Sequence, residues 1–148
     1  MKWRWEDRKL RNADGAGDVV AEATDNALTV GRHKFLLESE PGQRFCLRGT
    51  PGDGDMFYIR QAGFTNARLQ ARCENRVYRA ERINPLRRAR RILSEDGEEI
   101  LRTEPLHGLP GALSVELLDK KAAIPLVDVA FLTWACGLTD APGKRVRI

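Results

Sequence analysis

The stretch Ile124-Pro125-Leu126-Val127-Asp128-Val129-Ala130-Phe131-Leu132-Thr133-Trp134-Ala135-Cys136-Gly137-Leu138 constrains the fold more than any other part of the sequence. It reads as a helix over 125–138. Pro125 suits a first helical turn, where its missing N–H would have no partner anyway. Asp128 falls near the positive helix N-terminus, which favours a carboxylate. Gly137 suits a stop. A helix that is apolar on all sides must be enclosed on nearly every side. The stretch is too short, and too interrupted by Pro125, Asp128 and Gly137, to match the ~18 apolar residues of a membrane span. The rest of the chain is therefore expected to wrap around it.

The preceding segments carry the signals of strands. Trp3 and Trp5 alternate with Lys2, Arg4 and Glu6, and residues 2–23 read as a hairpin turning at Asn12-Ala13-Asp14-Gly15-Ala16-Gly17 and returning through Val19-Val20-Ala21. Ala27–Val30 reads as a strand. His33–Glu38 and Arg44–Arg48 flank the turn signal Glu40-Pro41-Gly42-Gln43. Met56–Arg60 follows a loop at Gly49–Asp55. Ala67–Cys73 and Val77–Ile83 alternate on either side of Glu74-Asn75, and Arg88–Leu93 and Glu99–Arg102 flank Asp96-Gly97, the strongest hairpin dipeptide in the chain. Leu113–Lys121 fits neither a strand nor a helix period cleanly. Successive short hairpins argue for an antiparallel sandwich or barrel. The expected fold is mainly β: an antiparallel β-barrel of hairpins enclosing a C-terminal hydrophobic helix, with residues 1–140 as one domain and a basic tail over 141–148.

Size permits this. A chain of 148 residues favours one domain, and a domain of about that length buries roughly 70% of its unfolded surface without disulfide or metal support. Cys46, Cys73 and Cys136 are odd in number and far apart, with no CxxC spacing, which points to free thiols in a reducing compartment. The N-terminus, Met1–Asp7, has no apolar run of the signal-peptide kind. The expectation is a cytoplasmic protein with no transmembrane span, and a place at the periphery of a membrane stays open.

Hairpins followed by one enclosed hydrophobic helix resemble the tubby C-terminal-like superfamily, which includes the LURP-one-related proteins and the phospholipid scramblases. The resemblance is carried by Met56–Phe64, the paired Ala67–Ile83 segments, the Arg88–Leu101 hairpin around Asp96-Gly97, and Val129–Trp134. It implies a closed barrel of about twelve strands around a central C-terminal helix, as in small bacterial-type members. It also implies a phospholipid-linked role, since tubby proteins bind phosphoinositides through a basic surface. The calcium-binding acidic segment and the palmitoylated cysteine run of the scramblases have no counterpart here.

Charge supplies the functional candidate. The basic residues are 19 Arg and 6 Lys, and Arg makes planar, bidentate contacts with phosphate and carboxylate. Nine arginines, Arg68, Arg72, Arg76, Arg79, Arg82, Arg87, Arg88, Arg90 and Arg91, fall between residues 68 and 91 against Glu74 and Glu81 alone. The whole chain carries only +4, so the remainder is slightly acidic. Arg68, Gln70 and Arg72 share one strand face, opposite Leu69, Ala71 and Cys73. Arg87, Arg88, Arg90 and Arg91 flank a turn after Pro85, where side chains could converge on a phosphate. The alternative is a solvated face paired with Glu95, Glu98 and Glu99 across the hairpin.

Other chemistries find less support. The Gly49–Gly54 loop lacks the Gly-Lys-Ser/Thr ending of a P-loop, and apolar Phe57 and Ile59 occupy ligand positions of a calcium loop. His33 and His107 have no His or Cys at metal spacing. No acid–base set is legible, so no catalytic residue, cofactor or metal is assigned. Cys136 reads as packing. Asp128, a carboxylate in an apolar helix, needs a partner, either backbone N–H groups or an arginine at the barrel mouth. The leading expectation is a non-enzymatic binding or scaffold module. Its arginine-rich face would engage an anionic partner, a phospholipid headgroup or an acidic protein surface. The alternatives are a structural subunit of a larger assembly and, less favoured, a nucleic-acid-binding protein.

Overall fold

The computed structural model describes residues 1–140 apart from 15, 16, 41, 43, 120 and 122. The basic tail expected over 141–148 lies outside these residues. So do Gly15, Ala16, Pro41 and Gln43 of two expected turns, and Lys120 of the ambiguous 113–121 segment. Twelve strands precede one helix: β1 (Lys2–Glu6), β2 (Lys9–Asn12), β3 (Val19–Ala23), β4 (Ala27–Val30), β5 (His33–Ser39), β6 (Cys46–Pro51), β7 (Phe57–Gln61), β8 (Arg68–Cys73), β9 (Arg76–Arg82), β10 (Arg90–Ser94), β11 (Glu99–Pro105), β12 (Leu113–Leu117) and α1 (Leu126–Asp140). Each strand pairs antiparallel with its neighbours in sequence, and β1 closes the ring onto β12 through Trp3↔Val115 and Trp5↔Leu113. Closure leaves no unpaired sheet edge.

Strand parity builds the interior. In β8, Leu69, Ala71 and Cys73 are buried while Arg68, Gln70 and Arg72 face solvent. The same alternation places Trp3, Trp5, Phe35, Leu37, Phe57 and Ile59 inside. The space they surround is filled by α1, whose Val129–Leu132, Ala135 and Cys136 are almost fully buried. Phe131 meets Phe57 edge-on at 5.5 Å between centroids, and Phe57 meets Phe35 in the same way at 4.9 Å. The approach of Phe131 is close enough to dictate Gly49 in β6. A Cβ there would stand 2.9 Å from the Phe131 ring. Polar atoms on the helix are satisfied within the core: the Trp5 indole N–H donates to Thr133 Oγ1 at 2.7 Å, and Thr133 donates to the Val129 carbonyl at 2.6 Å.

Four local expectations change. Gly49–Pro51, expected to open a loop, extends β6 and pairs with β5. Residues 2–23 form three strands rather than one hairpin, because Asp7 and Arg8 take φ of 53° and 64° and turn the chain after Glu6. A two-residue turn with both φ positive matches the twist of its strands, but Asp-Arg is not a sequence that announces it. Leu113–Leu117 is a strand, buried at Leu113 and Val115, and without it the barrel would stay open. The helix runs through Gly137 to Asp140 instead of stopping at Gly137. Pro125 stands just before it and its carbonyl accepts from the Asp128 and Val129 N–H groups at 3.0 and 3.1 Å.

Candidate functional site

The nine arginines between 68 and 91 do not form one surface. Parity divides them. In β9, Arg76 and Arg82 share the inward parity of Tyr78 and Ala80, while Arg79 faces solvent. In β10, Arg90 faces inward with Ile92, and Arg91 faces out. Arg87 and Arg88 lie in the 83–89 connection and are exposed.

The inward arginines hold the two ends of α1. At its start, Asp128 is 0% exposed. Arg76 donates to both of its oxygens, from Nε at 2.6 Å and from Nη2 at 2.8 Å, and the Tyr78 hydroxyl donates to Oδ2 at 2.6 Å. This is the bidentate geometry that gives the strongest guanidinium–carboxylate pairs. The bonds to Asp128 push the Arg76 guanidinium above its ordinary value. Burial, and then the bond to Asp128, push the Tyr78 hydroxyl well up. Burial does the same to the neighbouring Cys73 thiol.

At the far end, Arg90 is 0% exposed and donates to Asp140 from Nε at 2.8 Å and Nη2 at 2.9 Å. Arg82 adds a bond to Asp140 Oδ1 at 3.0 Å, and Asn66 Nδ2 another at 3.3 Å. Burial opposes the Arg90 charge, but the Asp140 bonds outweigh it. Cations at a helix C-terminus also answer the negative end of its dipole, where Asp140 alone would be unfavourable. Burial pushes the Cys136 thiol, one turn earlier, up to about 12.

The outward arginines make a different object. Strand register sets Arg60 of β7 opposite Gln70 of β8, and Gln70 opposite Arg79 of β9. Arg68 and Arg72 stand two residues either side of Gln70 on the same face. Neighbouring strands lie roughly 5 Å apart and same-face residues about 7 Å apart along a strand. Four guanidinium groups thus surround one neutral amide. A neutral amide at Gln70 avoids a cation directly opposite both Arg60 and Arg79, where like charges would destabilise each pair. All five side chains are exposed. Among the described residues, none of the four arginines makes an ion pair, whereas Arg48, Arg91 and Arg102 pair with Glu38, Glu81 and Glu99. The guanidinium of Arg60 also lies 5.7 Å from the Tyr58 ring centroid.

The remaining expectations resolve as follows. Arg87, Arg88, Arg90 and Arg91 do not converge after Pro85: Arg87 pairs with Glu104, Arg91 with Glu81 at 3.6 Å, Arg90 points inward, and Arg88 lines a separate cavity. Glu95 and Glu98 make no ion pair among the described residues, and Glu99 takes Arg102 of its own strand, so none of the three pairs across the hairpin with an arginine of the 68–91 set. Arg60 completes the outer cluster and was not singled out by sequence. The signal was there, since Arg60 alternates with Ile59 and Phe57 in β7.

The outer cluster can do one thing chemically, which is to attract and bind anions with planar, multidentate donors. It holds no nucleophile and no general base. No group of three or more His, Cys, Asp or Glu is placed to hold a metal among the described residues, and Cys46, Cys73 and Cys136 are free thiols. No helix of the described residues is long and apolar enough to cross a membrane. Compared with protein-family models, curated proteins and solved structures, the chain matches none.

Proposed function

We propose that this chain is a non-enzymatic binding module whose outer wall docks on an anionic phospholipid surface. The observation that carries the reading is the set Arg60, Arg68, Arg72 and Arg79 around Gln70, exposed and in no ion pair among the described residues, Glu81 opposite Arg68 being taken by Arg91. Unpaired guanidinium groups gain most from an external phosphate or carboxylate. A lipid partner is favoured over an acidic protein by two apolar side chains at one end of the barrel. Phe64 and Leu86 are each 94% exposed, in the 62–67 and 83–89 connections. Arg60 near the end of β7 and Arg68 at the start of β8 border the first of these connections. Arg44 lies over the Phe64 ring at 5.2 Å from its centroid. Apolar tips beside arginines suit the headgroup boundary of a bilayer. A cytoplasmic location at a membrane periphery, and membership of the tubby-like superfamily, belong to the same proposal.

Co-sedimentation with phosphatidylcholine vesicles, with and without phosphatidylserine, tests it. Each basic residue near an anionic surface contributes about 1 kcal/mol. Replacing Arg60, Arg68, Arg72 and Arg79 with Gln should therefore abolish binding to the phosphatidylserine vesicles, and salt should weaken binding by the native chain. Equal sedimentation of the native and fourfold variants, or no preference for the anionic vesicles, would overturn the proposal.

A further inference from the structure

At the barrel end where α1 finishes, a cavity of about 300 Å³ opens between the 83–89 connection, β11, the 106–112 connection and the last turns of the helix. That volume is at the lower end of the range for small-molecule pockets. Pro105, Pro110, Ala112 and Leu113 give it apolar walls, and three further residues on its lining lack an ordinary structural explanation.

Thr103 is fully buried and its hydroxyl has no hydrogen-bond partner. Buried hydroxyls are nearly always bonded, so an orphan on a cavity lining points to a missing partner. Gly137 lies inside α1, where glycine weakens a helix relative to alanine. Packing does not require it, since a Cβ there would meet only Leu113 Cδ2, at an ordinary 3.8 Å. What its missing side chain does is keep the cavity open. Arg88 is exposed, lines the same cavity and makes no ion pair among the described residues. The other charged lining residue, Asp140, is already bound by Arg82, Arg90 and Asn66. The uncompensated charge at this cavity is therefore positive.

We propose that this cavity is a binding site for a small carboxylic acid with an apolar body and a second, neutral polar group. The carboxylate takes Arg88 at the exposed side, the body lies against Pro105, Pro110 and Leu113, and the polar group bonds the Thr103 hydroxyl in the buried part. The Thr103 hydroxyl both donates and accepts, so a ligand hydroxyl satisfies it. The site shares no arginine with the outer wall, so either proposal can fail without the other.

The test uses 4-hydroxyphenylacetate as the probe, followed by calorimetry and by methyl NMR of Ala112 and Leu113. Phenylacetate and 4-hydroxyphenylacetamide are the controls. The native chain should bind 4-hydroxyphenylacetate saturably at one site, with the Ala112 and Leu113 methyl resonances shifting. Arg88→Gln should weaken the acid about tenfold or more and leave the amide unchanged, as loss of a charged hydrogen bond does. Thr103→Val should weaken 4-hydroxyphenylacetate and leave phenylacetate unchanged. Gly137→Leu should block all three while preserving the fold, since it removes a helix-weakening residue. No methyl shift at about 5 mM probe, near the weakest affinity worth calling a site, would overturn the proposal. So would binding that is indifferent to Arg88→Gln and Gly137→Leu.

Discussion

Arg72 and Arg76 stand four residues apart on either side of one tight turn, yet they belong to different parts of the molecule. Arg72 faces solvent among unpaired arginines. Arg76 turns inward, and its guanidinium is fixed on the carboxylate of a helix that the barrel encloses. The difference shows that residue type does not set the role of an arginine in this barrel. Strand parity does, together with what waits on the inner side. Among the described residues, the interior accepts a cation only where a helix end presents a carboxylate, at Asp128 and Asp140. Outside, Arg60, Arg68, Arg72 and Arg79 go without an ion pair because water screens such charges at little cost.

The largest way to break this contrast is at Asp128. Removing one partner of a buried pair leaves the other uncompensated, so Asp128→Ala should destabilise the fold by about 3–5 kcal/mol in urea unfolding. A double-mutant cycle sharpens it. Asp128 should couple to Arg76 by about 1 kcal/mol or more, and to Arg72 by no more than about 0.5 kcal/mol. Equal coupling would mean that the inward and outward classes are not distinct.

A smaller effect separates the faces by pH. Interior groups with no cation of their own stay protonated. Burial raises the thiols of Cys73 and Cys136 and the hydroxyl of Tyr78. These folded-state values lie above the unfolded ones. The stability they contribute is complete below about pH 8.5, where unfolded thiols begin to ionise. It is lost as pH rises, through about 12 for Cys136. Each lagging thiol gives a slope of about 1.4 kcal/mol per pH unit. Urea midpoints should fall between pH 8 and pH 10 in the native chain. They should fall less in a variant carrying Cys73→Ala and Cys136→Ala. Identical pH profiles would contradict this reading of the interior.

Much of this was legible in the sequence. The alternation of Leu69, Ala71 and Cys73 with Arg68, Gln70 and Arg72 defines β8, Asp96-Gly97 defines the β10–β11 hairpin, and the apolar run defines a helix that must be enclosed. The Asp7-Arg8 turn was not legible, because Arg8 stands where such a turn usually carries glycine. The extension of α1 to Asp140 was hidden by Gly137, which resembles a stop but lines a cavity. The site was half legible. Charge density pointed to the wall that carries Arg68, Arg72 and Arg79, but counting all nine arginines together ignored parity, which already placed Arg76 and Arg82 with Tyr78 and Ala80, and Arg90 with Ile92. The identity of the interior partners depended on where the helix ends, a tertiary fact that local pattern does not carry.

The most direct measurement sets two adjacent residues against each other. Arg90 is sealed on Asp140, whereas Arg91 faces solvent beside Glu81. In parallel urea unfolding, Arg90→Gln should cost about 3 kcal/mol, as loss of a buried ionic partner does. Arg91→Gln should stay within about 0.5 kcal/mol, as most surface substitutions do. Equal losses at the two positions would contradict the claim that parity, together with the carboxylate waiting inside, assigns these arginines to structure or to surface.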